Sequence, residues 1–507
     1  MKRHAVIGLD IGTTSTKAVA FNERGEMLVH RDREYPLISN KPGVAELDPD
    51  LVLQAVLGTL KAVASQLKLH HYSLEGISFS SAMHSLILMD EHGEPLTNCI
   101  TWADTRSKGY AEEIRNNFGG HDIYLQTGTP LHPMSPLLKL CWLRDEQPEV
   151  FRKAGKFIGI KEYVLFRLFG EYKVDYSVAS ATGLFNVFSL DWHQPALEAA
   201  SITEEKLPDL VPPTHVFKNL KAAYASSLDL AAETPFVIGA SDGCLANLGA
   251  NAVDTGYGAV TIGTSGAIRV MAHEPATDAQ ERIFSYVLTP EHYVLGGALN
   301  NGGVVLRWFR DNFYEAESAE ARKSKIDPYV LLHEKAAAIA PGANGLLCLP
   351  YLLGERSPIW DTSARACFVG VHYTHTREHF LRALMEGVMY GIYSVGEALE
   401  QTIGPVATVY ANGGFSRSDS WVQMLADVFN KNVYLPATPE GSAFGAAIMG
   451  MYALGMLEKL EDATGMTRIT KTFVPNPLHH ECYMKNYSLF KELYPRLKDS
   501  FQQLDQR

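Results

Sequence analysis

A chain of 507 residues is too long for one hydrophobic core, and 46% hydrophobic with 20% charged residues describes an ordinary globular enzyme of two or three domains rather than a fibrous or disordered polymer. The formal net charge of −12 argues against non-specific binding to nucleic acid or anionic membrane. No run of about eighteen apolar residues occurs, the stretch after Met1-Lys2-Arg3-His4 is broken by Asp10 too early for a signal peptide, and the six cysteines are scattered, so a cytoplasmic protein without disulfides or zinc spacing is expected.

Residues 5 to 35 read as a β-meander: apolar Ala5–Leu9, a Gly12-Thr13-Thr14 turn, Lys17–Phe21, an Asn22-Glu23-Arg24-Gly25 turn, then Met27–His30. The Gly-Thr-Thr turn suits phosphate, because glycine admits the anion close to backbone N–H groups and hydroxyls supply further donors. Asp10, immediately before it, would repel bare phosphate; a magnesium ion resolves that conflict, and the alternative is a turn-initiating Asp bonded to local backbone. Asp48-Pro49 predicts an N-cap and a first helical proline, opening a helix through about Leu67. Ile77–Ser80 and Ser85–Met89 flank a strand-end motif holding Met83-His84, and Trp102, Asp104 and Arg106 follow at a second apparent strand end. Such a set is compatible with a polyol site, with structural roles as the alternative. Phe236–Gly239 runs into Ser241-Asp242-Gly243, where Asp242 is either a helix cap or a general base for a hydroxyl attacking a γ-phosphorus.

Half a chain later the first turn is echoed by Ile262-Gly263-Thr264-Ser265-Gly266, with Arg269 beyond it, and the order repeats: helices from about Val304 and His379, a strand Val406–Tyr410, and a glycine-rich exit at Asn412-Gly413-Gly414. A helical tail over about 486–504 closes the chain. The GxxxxGK[ST] pattern is absent. Two phosphate-type turns imply a duplicated α/β architecture, domains 1–248 and 249–507, with a nucleotide clamped between halves that close on binding.

Taken together these segments resemble the FGGY carbohydrate kinases, which share the duplicated, ribonuclease H-like fold of sugar kinases, Hsp70 and actin. One family signature reads Met134-Ser135-Pro136-Leu137-Leu138-Lys139-Leu140-Cys141-Trp142-Leu143-Arg144-Asp145-Glu146, and a second runs from Phe368-Val369-Gly370-Val371 to Glu386-Gly387, with Ala366 where many members have Gly. The resemblance implies that ATP phosphates are held by Gly12, Thr13, Thr14, Lys17, Gly263 and Thr264. It places the rest of the nucleotide on Gly303, Arg307, Gly413, Gly414 and Ser418, Mg²⁺ at Asp10 and Asp242, and the sugar at Met83, His84, Trp102 and Asp104, with Asp242 as base. Glycerol kinases carry Arg-Glu at Met83-His84, a pair this chain shares with xylulose kinases. The combination with Ile160-Lys161-Glu162-Tyr163, Thr264–Arg269 and Asn300-Asn301-Gly302-Gly303 is most similar to the gluconate-specific members. It implies ATP-dependent conversion of D-gluconate to 6-phospho-D-gluconate, with Lys161 and Arg269 as candidate partners of the substrate carboxylate. D-xylulose is the alternative substrate, and an actin- or Hsp70-like ATPase the alternative class. Expected partners are ATP and a sugar acid, without nucleic acid or membrane, and a homodimer is compatible.

Overall fold

The computed structural model describes residues 3–437 and 440–505, which fall into two compact units. The first unit comprises Met1–Thr255, Met271–Leu295 and Glu440–Arg468. Its sheet contains β1 (Arg3–Ile11), β2 (Ser15–Asn22), β3 (Met27–Glu34), β4 (Tyr72–Ser81), β5 (Val216–Phe217) and β6 (Phe236–Ser241), in the order β5-β6-β4-β1-β2-β3. β1, β4 and β6 are mutually parallel neighbours, and β2 is antiparallel to β1. The central strands are near-continuous apolar runs because both their faces are covered. By contrast β3, at the edge, ends in the charged, exposed run Arg31–Glu34, which blunts further pairing. The helix α1 (Pro49–Leu69) opens where the Asp-Pro pattern places it, with Asp48 accepting from the backbone N–H of Asp50 and Leu51. Val52, Val56, Leu60, Val63 and Leu67 recur at helical spacing and are buried on the sheet.

Residues 440–468 join this unit through α9 (Gly441–Ala453), which packs on β1, β4 and the helix α4 (Asp242–Gly249). Glycines make the approach possible: a Cβ on Gly8 would lie 1.8 Å from the Ala443 carbonyl oxygen, and one on Gly445 would lie 1.9 Å from that of Leu245. The first unit is therefore not one continuous segment ending near 248. The chain returns to it because an Ala/Gly-rich apolar helix fits only where backbone can touch backbone.

The second unit comprises Gly256–Val270, Gly296–Pro439 and Ile469–Arg507. Its strands β7 (Tyr257–Ile262), β8 (Gly266–Ala272), β10 (His292–Leu299), β11 (Thr408–Asn412), β12 (Val433–Pro436) and β13 (Ile469–Phe473) run in the order β10-β8-β7-β11-β12-β13. β9 (Phe284–Thr289) and the first half of β10 belong to the first unit. Position by position the order matches the first sheet read from β3 to β5, with a hairpin, then two further parallel strands, then an antiparallel edge. The duplication expected from the two Gly-Thr turns is present in the topology. Two boundaries shift: β11 starts two residues later than expected, since the Val406 N–H is taken by Glu400 Oε1 on α7 (Arg377–Ile403), and the tail helix α10 (Pro477–Asp505) begins nine residues early. All six cysteines are free, and no helix among the described residues is long and apolar enough to cross a membrane.

Candidate active site

In the first unit, β1, β4 and β6 end on one edge of the sheet, the edge where parallel α/β sheets present ligand groups. Asp10 is in register with Ser80, and Ser80 with Ala240, so Asp10 and Asp242 stand at corresponding strand ends. Two strand spacings, about 10 Å, separate their strands. Ser80 Oγ donates to Asp10 Oδ1 at 2.7 Å. Burial lifts the Asp10 carboxyl above its ordinary value, and the Ser80 hydrogen bond and the Lys17 charge oppose that shift. Lys17 lies opposite Asp10 in the β1–β2 register, and its Nζ is 2.7 Å from Glu440 Oε2. The intervening turn is braced from behind: Tyr35 donates its hydroxyl to the Gly12 carbonyl at 2.5 Å, and Trp102 Nε1 donates to Thr13 Oγ1 at 3.0 Å. Thr14 is exposed. Asp242 is the first residue of α4 while Ser241 occupies the cap position, and the Gly243 N–H donates to Asp242 Oδ1 at 2.7 Å.

Met83 and His84 follow β4, with His84 in the left-handed region at φ 66°. His84 Nδ1 donates to the Ala181 carbonyl at 2.6 Å, leaving Nε2 as an acceptor 3.4 Å from the Tyr286 hydroxyl. His84 is buried and lines, with Glu162 and Thr182, a small pocket of about 30 Å³, room for one water. Half-buried Met83 is the better placed of the two to meet a ligand.

The first family signature supplies the support. Lys139, on α2 (Pro136–Glu146), donates to the carbonyls of His84 and Met134 at 2.5 and 2.7 Å, and burial pushes its ammonium down to about 7. Trp142 of the same helix carries the Arg106 guanidinium at 4.4 Å from its ring. Asp104 is buried and accepts from the Ala45 N–H, the Arg106 N–H and the Arg106 guanidinium, so it pins two loops together. Lys161, on α3 (Ile160–Phe169), is fully buried with Nζ 2.5 Å from Asp175 Oδ2. The two charges form a buried ion pair, although neither Nζ nor Oδ2 has a hydrogen-bond partner of good geometry among the described residues.

In the second unit Gly263, Thr264, Gly303, Arg307 and Gly414 line one cavity of about 250 Å³. The helix α5 (Gly303–Phe313) starts against the second Gly-Thr turn: the N–H groups of Gly303 and Val304 donate to the carbonyls of Gly263 and Thr264 at 2.7 and 3.0 Å. A Cβ on Gly303 would lie 2.6 Å from the Gly263 carbonyl oxygen. Gly413, at φ 91°, packs on Ile262, and Ser418 caps α8 (Asp419–Phe429) by accepting from the Trp421 N–H. Arg269 lies farther along β8, half-buried, in register with Ala259.

The sequence reading missed the cavity's other wall, which consists of Tyr329 and His333 on α6 (Pro328–Ala337) and Trp421 on α8. Two signals were available. Asp327-Pro328 repeats the Asp48-Pro49 helix start, and Trp421 follows Arg417 by about one helical turn. His333 Nδ1 and Trp421 Nε1 are buried with no hydrogen-bond partner among the described residues, and burial pushes His333 down to about 4, keeping it neutral. Buried polar atoms of this kind call for a ligand or water.

The turn before α5 is held by Glu355, buried, which accepts from the Asn300 N–H at 2.5 Å and from Asn301 Nδ2 at 2.9 Å. Burial pushes its carboxyl from about 4.5 up to about 7, against those hydrogen bonds. A raised folded-state value means the native chain keeps this proton over that window while the unfolded chain releases it. The stabilisation is complete below about 4.5 and is lost as pH rises through about 7. The stability advantage of wild type over Glu355→Gln should therefore shrink by about 2–3 kcal/mol between pH 4.5 and 8 in urea unfolding, and a pH-independent difference would contradict the assignment.

Two sheets of one strand order, each opening on a Gly-Thr turn hairpin, with carboxylates at the parallel strand ends of one and a cavity of mixed polar and apolar lining at the turn of the other, define an ATP-dependent sugar kinase. The chain belongs to the FGGY family of carbohydrate kinases, whose N-terminal domain matches residues 5–249 and whose C-terminal domain matches residues 258–454. It is 46% identical over 500 residues to the gluconokinase of Bacillus subtilis (strain 168), covering 98% of this chain and 97% of that protein. The xylulose kinase of the same strain is 32% identical over 497 residues, covering 97% of each. The crystal structure of gluconate kinase from Lactobacillus acidophilus superposes with a TM-score of 0.94 at 35% identity, covering 99% of this chain and all of that one.

Proposed function

We propose that the chain transfers the γ-phosphoryl group of ATP to the 6-hydroxyl of D-gluconate. The observation that carries this is the higher identity, along nearly the whole chain, to a gluconokinase than to a xylulose kinase. The hydroxyl oxygen attacks the γ-phosphorus, its bond to the β–γ bridging oxygen breaks, ADP leaves with that electron pair, and Asp242 takes the hydroxyl proton. The Gly12 turn of the first unit and the Gly263 turn of the second are each a candidate holder of phosphate oxygens, and Tyr329, His333 and Trp421 on the wall of the second unit's cavity are candidates to meet the base. Asp10 would hold Mg²⁺, which when bound neutralises charge on the phosphates; a carboxylate whose Oδ1 is oriented by Ser80 fits that hard, oxygen-liganded ion. Six free thiols fit a reducing, cytoplasmic compartment.

Of the two cations in the gluconate-like segments, Arg269, just beyond the second Gly-Thr turn, is the proposed partner of the substrate carboxylate. Arg269→Ala should raise the gluconate KM by about ten- to a hundredfold with ATP KM little changed, the scale of one charged hydrogen bond. An unchanged gluconate KM removes Arg269 from the site. ADP release from the purified chain should require an added polyol or aldonate, and equal release without one would favour a simple ATPase.

A further inference from the structure

His273, just past the end of β8, and His292, the first residue of β10, have ring centroids 5.2 Å apart. With Glu461, on the short 3-10 turn Leu460–Ala463, they form a group in which one ligand atom from each lies within 4.8 Å of the others. All three belong to the first unit, and none takes part in the sites described above.

His273 Nδ1 is 3.2 Å from the Glu291 carbonyl oxygen, which can only accept, so Nδ1 carries a hydrogen and the far nitrogen, Nε2, is turned toward Asp254 Oδ1 at 3.6 Å. His292 Nδ1 is 2.8 Å from the Thr289 hydroxyl, which can accept from it, and His292 Nε2 is 2.9 Å from Glu461 Oε1. One hydrogen bond would account for the His292–Glu461 pair; it does not account for a second imidazole and a second carboxylate converging on the same place.

We propose that His273, His292 and Glu461, with Asp254 beside them, bind a d-block dication of the zinc class. Two imidazoles and carboxylates suit Zn²⁺ and not Mg²⁺, and an acceptor behind each Nδ1–H is the support that metal-ligating histidines carry. A bound ion would cross-link the end of β8, the β9–β10 hairpin and the turn after α9, three stretches remote in sequence.

The test is calorimetric titration of Zn²⁺ alone into the metal-free full chain without nucleotide. Wild type binds, and a large excess of Mg²⁺ does not displace the ion. His273→Gln, an exposed position that leaves the fold and zinc-free kinase turnover intact, and Glu461→Gln each weaken binding by about tenfold or more. Saturating zinc raises the wild-type Tm by about 2–5 °C and the variants' much less. Absence of binding, superimposable isotherms for wild type and both variants, or loss of binding in Asp10→Asn with these variants unaffected would each overturn the proposal, leaving a histidine–glutamate hydrogen bond.

Discussion

Asp242→Asn is expected to bind ATP and gluconate almost as wild type does and to turn over about 10²–10⁴-fold more slowly. The substitution is close to silent for the fold. Ser241, not Asp242, holds the cap position of α4, and the backbone hydrogen bond that Asp242 Oδ1 accepts from the Gly243 N–H can be accepted equally by an amide oxygen. What an amide cannot do is take the proton of the attacking hydroxyl. Because attack and proton removal both precede release of ADP, the loss should fall on the turnover number and not on either KM. A variant keeping half of wild-type turnover would reduce Asp242 to a helix-start residue.

Lys161→Ala is expected to destabilise the first unit by about 3–5 kcal/mol while the protein that does fold keeps its gluconate KM. Removing the ammonium leaves the Asp175 carboxylate fully buried and without its counter-charge, next to Glu162, whose carboxyl burial already pushes up to about 7. Asp175 also caps the helix Tyr176–Ser180 by accepting from the Val178 N–H, so it cannot swing away to find water. Lys161→Met combined with Asp175→Asn removes both charges while keeping a capping side chain, and should recover part of the loss. Denaturant unfolding and substrate kinetics on the same preparations decide the matter. Unchanged stability with a raised gluconate KM would return Lys161 to the role of carboxylate anchor.

Features written in short stretches of sequence were legible. The Asp48-Pro49 helix start, the β1–β2–β3 meander and its echo at β7–β8 each depend on a few adjacent residues, and each is found. So, through the family resemblance, was the membership of the chain. What stayed hidden depends on residues far apart. Nothing local to Gly8 announces that Ala443 will press on it, and nothing in the 441–453 segment says that it belongs with the first sheet. The pattern that marks Met134–Glu146 as a signature does not say that Lys139 will hold the His84 backbone or that Trp142 will carry Arg106. Lys161 illustrates the same limit: a lysine beside a glutamate reads as surface or ligand, and only the fold brings Asp175 to it. His333 and Trp421 share a cavity wall because α6 and α8 converge, a fact that spacing along the chain does not contain.

The central claim is that the substrate is an aldonate and not a neutral ketose, and it is tested by comparing kcat/KM for D-gluconate, D-xylulose and glycerol with ATP and Mg²⁺ in a coupled ADP assay. A charge-assisted contact to the carboxylate predicts a preference for gluconate over either neutral substrate by about tenfold to a hundredfold or more, with glycerol at background. A higher kcat/KM for D-xylulose would contradict it and move the chain to the ketose branch of the family.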